Sequence, residues 1–172
     1  MDDKELLKYR AKNLAKQDDT LNPAELYTRE ILGFMLSGEQ YAIETKFVTE
    51  ALSIHELTPV PGTPAYLNGI MNVRGRIVPV INLKKFFNLK EEGITASTKA
   101  IILRDEFYEV AVLTDAILPT SVTAESSIKP VPSNIHGIGA EHLLGVTHDA
   151  VIIIDGKSFI KKLEQSLTGK KT

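Results

Sequence analysis

A chain of 172 residues with a formal charge of −2 and no cysteine can fold without covalent staples, because about 70% of the unfolded surface is buried at this size. The missing cysteines exclude disulfides, thiolate zinc sites and cysteine nucleophiles, and fit a reducing compartment. The small negative charge gives no general attraction to nucleic acid or anionic membrane, and no apolar run reaches the roughly 20 residues that span a bilayer.

The N-terminus, MDDKELLKYRAKNLAKQ, opens acidic and lacks the apolar core of a signal peptide, so the expectation is a cytoplasmic protein. Leu7, Ala11 and Leu14 fall at helical spacing and predict a short helix over 4–17 with a thin apolar stripe. Asn22-Pro23-Ala24-Glu25 has the chemistry of a second helix start: a capping amide, a first-turn proline, and a glutamate three residues beyond the cap. Residues 1–28 are read as an N-terminal extension and 29–172 as the main domain.

From Arg29 the texture is that of strands. ILGFMLSGEQYAIE predicts a hairpin turning at Ser37-Gly38, and TKFVTEAL a brief helical turn capped by Thr45. Strands are expected around SIHELTPV, from Arg76 to Asn82, in TKAIILRD, FYEVAVLTD and AVIIID, with SVTAESSIKPVP as a polar connection. SFIKKLEQSL carries Phe159, Ile160, Leu163 and Leu167 at helical spacing and predicts a closing helix.

The order of these elements repeats. Pro59-Val60-Pro61 matches Pro130-Val131-Pro132, Gly69 matches Gly145, and IVPVIN matches VIIID. Each copy supplies about five short strands, which predicts a mainly all-β fold of two small barrels or half-barrels that cover each other's strand edges.

GIMNVRGRIVPVINL, Gly69–Leu83, concentrates the unusual features. Val73-Arg74-Gly75-Arg76 suits a hairpin turn that projects Arg74, whose five donors suit a carboxylate or backbone carbonyls. Ile77, Pro79, Ile81 and Leu83 alternate with Val78 and Val80, giving a strand apolar on both faces. Pro79 lacks an N–H, so it marks an edge or a gap in the ladder. From these residues alone two readings stay open: an ordinary buried strand with a surface arginine, or an edge bordering a protein-binding surface.

Other chemistries find no support. No multiple-glycine loop leads into a helix, and the basic residues Arg74, Arg76, Lys84 and Lys85 lack interleaved stacking aromatics; Phe86 and Phe87 read as core under a short helical turn. His136, His142 and His148 are spaced by six, which is no metal-ligand interval, and these and His55 are read as exposed. No G-x-S-x-G elbow occurs, and Asp115 has no basic companion near it in the sequence. No catalytic residue, metal or cofactor is expected.

With these residues assembled, the chain resembles the CheW-type chemotaxis coupling proteins. The motif G-x-x-N-L-R-G-x-x-x-P-V-x-D/N-L appears as Gly69-Ile70-Met71-Asn72-Val73-Arg74-Gly75 and Pro79-Val80-Ile81-Asn82-Leu83, with valine in place of the usual leucine at Val73. FMLSGEQYAIETKFVTEAL matches the family's first hairpin and V-x-E segment, and IKPVP and LLGVTHDAVIIID its second half. The resemblance implies two intertwined five-stranded SH3-like β-barrels with short terminal helices. It implies a non-catalytic adaptor coupling methyl-accepting chemoreceptor tips to the regulatory domain of the histidine kinase CheA at membrane-associated arrays, with no nucleic acid and no membrane insertion. A same-fold adaptor in another chemosensory pathway, controlling surface motility or gene expression, is the alternative. By position, the partner-binding surface would take in Val48, Glu50, Val73, Arg74, Ile77 and Pro79.

Overall fold

The computed structural model describes residues 2–8, 27–133 and 138–169. Residues 3–8 are helical; the rest of the helix expected over 4–17, the helix start at Asn22, and His136 lie outside the described residues. Strands β1 (Thr28–Leu36) and β2 (Glu39–Glu44) meet at Ser37 and Gly38, both at positive φ (50° and 80°), the backbone a two-residue hairpin demands. There follow β3 (Val48–Ser53), β4 (Leu67–Val73), β5 (Arg76–Asn82) and the single turn α1 (Leu83–Phe86). The second half supplies β6 (Lys99–Arg104), β7 (Glu109–Thr114), β8 (Ala116–Ala124), β9 (Leu143–Val146), β10 (Ile152–Ile154) and α2 (Gly156–Thr168).

These strands form two five-stranded sheets, ordered β8-β1-β2-β10-β9 and β3-β6-β7-β5-β4. With β1–β5 laid on β6–β10, the two orders are the same. Each sheet therefore takes a hairpin from one half of the chain and three strands from the other. The swap is consistent in detail: β2 pairs with β10 in parallel (Tyr41 opposite Ile152), as β7 pairs with β5 (Ala111 opposite Val80). A lone bridge, Thr58 to Ile70 in one sheet and Lys129 to Val146 in the other, brings the chain beyond one edge strand back to the opposite edge. The fold is mainly β, and its sheets are SH3-like and intertwined.

The exchange accounts for strands that are apolar on both faces. Ile101 and Leu103 of β6 and Ile81 of β5 join a large core with Phe34, Tyr41 and Ile43 of the other sheet and Phe159, Ile160 and Leu163 of α2. Ala100 and Ile102, with Val78 and Val80, point the opposite way into a smaller core around Met71 and Val73. Each fully buried branched side chain contributes about 1.5–3 kcal/mol, so the two cores hold the exchanged strands from both sides.

Three sequence expectations change. TKFVTEAL is only a 3₁₀ turn at Thr45–Phe47, preceded by Glu44 with no side-chain cap, and its remainder is strand β3. The polar connection begins inside strand β8, whose last four residues, Ser121–Ala124, it contains, and continues as a 3₁₀ turn at Glu125–Ser127 and the single bridge at Lys129; β8 is mostly exposed because it is an edge. SIHELTPV contributes only the end of β3 and the single bridge at Thr58. The closing helix holds: Asp155 accepts the Ser158 N–H at 3.2 Å at its start, and Gly169 ends it at φ 71°.

Candidate functional site

The β4–β5 turn is a two-residue hairpin in which Arg74 (φ 52°) and Gly75 (φ 84°) are both left-handed. Asparagine and glycine usually fill such turns, because a long side chain at positive φ is disfavoured. Here Asn72 stabilises the loop, its Oδ1 accepting the Gly75 N–H at 2.8 Å. The outcome is that Arg74 projects with 78% of its side chain exposed, and its Nη2 lies 2.8 Å from Glu50 Oε2.

Glu50 comes from β3, where Val48, Glu50 and Leu52 are half-buried and Thr49, Ala51 and Ser53 are exposed. Its other oxygen, Oε1, is buried without a hydrogen-bond partner among the described residues. Strands β3 and β4 are the two edges of one sheet. The ion pair therefore spans the open seam of that sheet, beside the lone Thr58–Ile70 bridge.

The structure thus brings two of the six sequence-derived site residues, Glu50 and Arg74, into direct contact. Ile77, 61% exposed, follows on the same hairpin. Val48 is half-buried two positions from Glu50 and packs against the large core. Val73 is buried in the smaller core, so its free surface lies inward and it acts on the exterior only through the turn it anchors. Pro79 is half-buried and sits in a strand paired on both sides, not at an edge. Its partner Ile70 directs both backbone groups to Thr58, so the Pro79 nitrogen faces β7, where pairing begins one residue later at Val80. The gap in the ladder, rather than an edge, is what accommodates the proline.

One group departs from the sequence reading, and a second has a partner that no local pattern could show. His142 is buried, with 8% exposure, and its Nδ1 lies 2.5 Å from Ser158 Oγ. Burial pushes its pKa below the usual histidine value, while Glu141 and Asp155 raise it and Lys162 lowers it. Asp115 does have a basic partner: Lys84 Nζ lies 2.7 Å from its Oδ1, and its Oδ2 accepts the Ser37 N–H at 2.8 Å. The two residues are 31 positions apart, so no local pattern could show the pair. His55 and His148 are exposed as expected. No group of three His, Asp or Glu side chains among the described residues could hold a metal, and no described helix is long and apolar enough to cross a membrane.

A family model described as "CheW-like domain" matches residues 30–164. The chain belongs to the CheW-like domain family. Among curated proteins, it is 32% identical over 146 residues to the "Chemotaxis protein CheW" of Treponema pallidum, an alignment covering 80% of this chain and 86% of that one. It is 32% identical over 143 residues to the protein of the same name from Bacillus subtilis, covering 81% and 92%. Among solved structures, it matches the scaffolding protein TtCheW from Thermoanaerobacter tengcongensis with a TM-score of 0.67 at 30% identity, covering 74% of this chain and 89% of that one. The CheW-like match begins within β1 and ends within α2, so it takes in both exchanged sheets.

Proposed function

We propose that this CheW-like chain is a non-catalytic chemotaxis adaptor that couples chemoreceptors to the histidine kinase CheA. Curated relatives named chemotaxis proteins and a solved relative titled a scaffolding protein support the reading. The observation that carries the site is the Glu50–Arg74 pair, displayed on a hairpin tip at the open seam of a sheet beside exposed Ile77. An exposed arginine next to apolar surface is a favoured composition for the centre of a protein interface. Val48, Glu50, Arg74 and Ile77 form the receptor-facing patch, with Val73 and Pro79 fixing the hairpin behind it. The free strand edges suit edge-to-edge docking by the regulatory domain of CheA. Residues 29–172 form the adaptor unit, and 1–28 an extension to it. The protein joins membrane-associated arrays through its partners rather than by insertion, and repetition in the array raises the effective strength of modest contacts.

The test is reconstitution of the full chain with a receptor cytoplasmic fragment and CheA, reading kinase activity and co-sedimentation. Arg74→Glu and Glu50→Arg each reduce receptor binding by at least about tenfold; Arg74 is exposed and its variant stays folded, while Glu50 is half-buried, so the shape-conserving Glu50→Gln, which also weakens binding, separates loss of the charge from loss of the fold. Combining the two changes restores the ion pair but not binding, because the partner reads the original charges. Failure to activate any cognate receptor–kinase pair overturns the adaptor reading; full binding by both single variants overturns the site.

A further inference from the structure

Away from the seam, the β6–β7 hairpin and α2 wall a groove of about 840 Å³, reached also by the 3₁₀ turn between β2 and β3. Phe107, at the hairpin tip, is 82% exposed at its mouth, and Phe47 adds apolar surface. Lys46, Arg104, Lys157 and Lys161 line the groove. Of the three acids there, Asp105 is occupied in its own turn, accepting the N–H groups of Phe107 and Tyr108 at 2.8 Å each; Glu106 and Glu164 remain. Lys46 is itself paired with Glu44 at 3.5 Å, so the surface is apolar with nearly balanced charge, suited to a short amphipathic segment carrying charges of both signs.

One such segment belongs to this chain. Residues 3–8 are helical, and Asp2 caps them by accepting the Glu5 N–H at 2.9 Å. Leu6 and Leu7 are exposed, Leu7 at 64%, alongside the acidic Asp2, Asp3 and Glu5 and the basic Lys4 and Lys8. The domain end of the connection lies beside the groove. Arg29 Nη1 lies 2.6 Å from Glu44, and Thr45 Oγ1 donates to the Glu30 carbonyl at 3.4 Å, so the chain enters β1 next to Lys46 and Phe47. Residues 9–26 set an upper limit of about 60 Å on the separation, several times the size of such a groove.

We propose that the N-terminal helix docks in this groove of its own chain, Leu6 and Leu7 against Phe107 and Phe47, and Asp2, Asp3 and Glu5 against Lys157, Lys161 and Arg104. In the structure both surfaces are open, so docking is an equilibrium between a free and a covered groove. Tethering supplies a high effective concentration without a second molecule. The contact does not depend on the proposed receptor and kinase partners.

The absence of native cysteine makes a direct test clean. A nitroxide on Lys4→Cys of the full chain is expected to remove more than half the amide signal intensity at 104–107 and 157–161. The loss persists when labelled chains are mixed with excess isotopically silent, unlabelled ones. Leu7→Asp and, separately, Phe107→Ser, both at exposed positions, reduce it at least threefold. Lys157→Glu with Lys161→Glu weakens it, and adding Asp2→Lys with Asp3→Lys recovers it. No loss at the groove overturns the proposal, as does loss that vanishes on mixing, which assigns the groove to a second copy. Loss unaffected by the leucine and phenylalanine changes also overturns it.

Discussion

Gly69 and Gly145 occupy the same place in the two exchanged sheets. Their φ angles are 146° and 157°, and a Cβ on either would come within 2.6 Å of the Thr58 carbonyl oxygen or 2.2 Å of that of Lys129. In each case the carbonyl belongs to the residue just before the Pro-Val-Pro segment, which forms the lone bridge to the residue after the glycine. The repeated proline and glycine signatures are therefore two sides of one contact, where the chain crosses back over an edge strand.

Alanine at either glycine has to displace backbone, and adopts a backbone region that side chains rarely enter. Gly69→Ala and Gly145→Ala are each expected to cost about 2–4 kcal/mol, seen as a lowered urea midpoint at unchanged slope. Gly62→Ala is the control: its φ is also positive, at 76°, but nothing lies within 4 Å of the added Cβ. It should cost only about 1 kcal/mol. Equal losses at all three positions would place the cost in φ alone and remove the close approach as its cause.

Lys84 and Asp115 link α1, which follows β5 of one sheet, to the β1–β2 turn of the other, through Asp115 and the Ser37 N–H. Lys84 is buried, so removing only its partner leaves a cation without compensation. Asp115→Ala is expected to cost about 2–3 kcal/mol, the open side of Asp115 softening the loss, whereas Lys84→Met, which fills the same space without charge, costs about 1 kcal/mol or less. Denaturant melts of the two variants and the double variant check this order. A double variant as unstable as the sum of the singles would show that the two residues act independently.

What the sequence made legible follows from these contacts. Hairpin turns, the closing helix and the doubled Pro-Val-Pro and glycine pattern are local, so they can be read from neighbouring residues. The exchange of strands between sheets is a matter of which hairpin pairs with which strands, and no local pattern encodes it. Strand β3 was obscured because Glu50, a charged residue, takes one of its inward positions between Val48 and Leu52 and breaks the alternation. Strand β8 was obscured for the opposite reason: as an edge it is exposed from Pro119 to Val122, and Ile117 alone of its side chains packs against the large core. Of the site, Arg74 and Glu50 stood out separately, but their contact across the seam, 24 positions apart, emerges only from the fold.

His142 predicts how stability responds to acid. Its ring is buried beside Phe86, with centroids 6.0 Å apart, and Nε2 is buried without a partner while Nδ1 meets Ser158. Burial disfavours the charged ring, which would carry hydrogens on both nitrogens with no acceptor at Nε2 among the described residues, so its pKa lies below 6.5 in the folded state. The unfolded chain then binds the extra proton first. Stability is complete above the unfolded value of about 6.5 and declines as pH falls from there toward the lowered folded value. His142→Asn keeps a polar group toward Ser158 without a titrating one. It is expected to be about 1 kcal/mol less stable at pH 7.5, yet to lose less on going to pH 5.5 than the native chain does. Urea midpoints at the two pH values decide it, since an equal loss in both proteins would place the acid sensitivity in other groups.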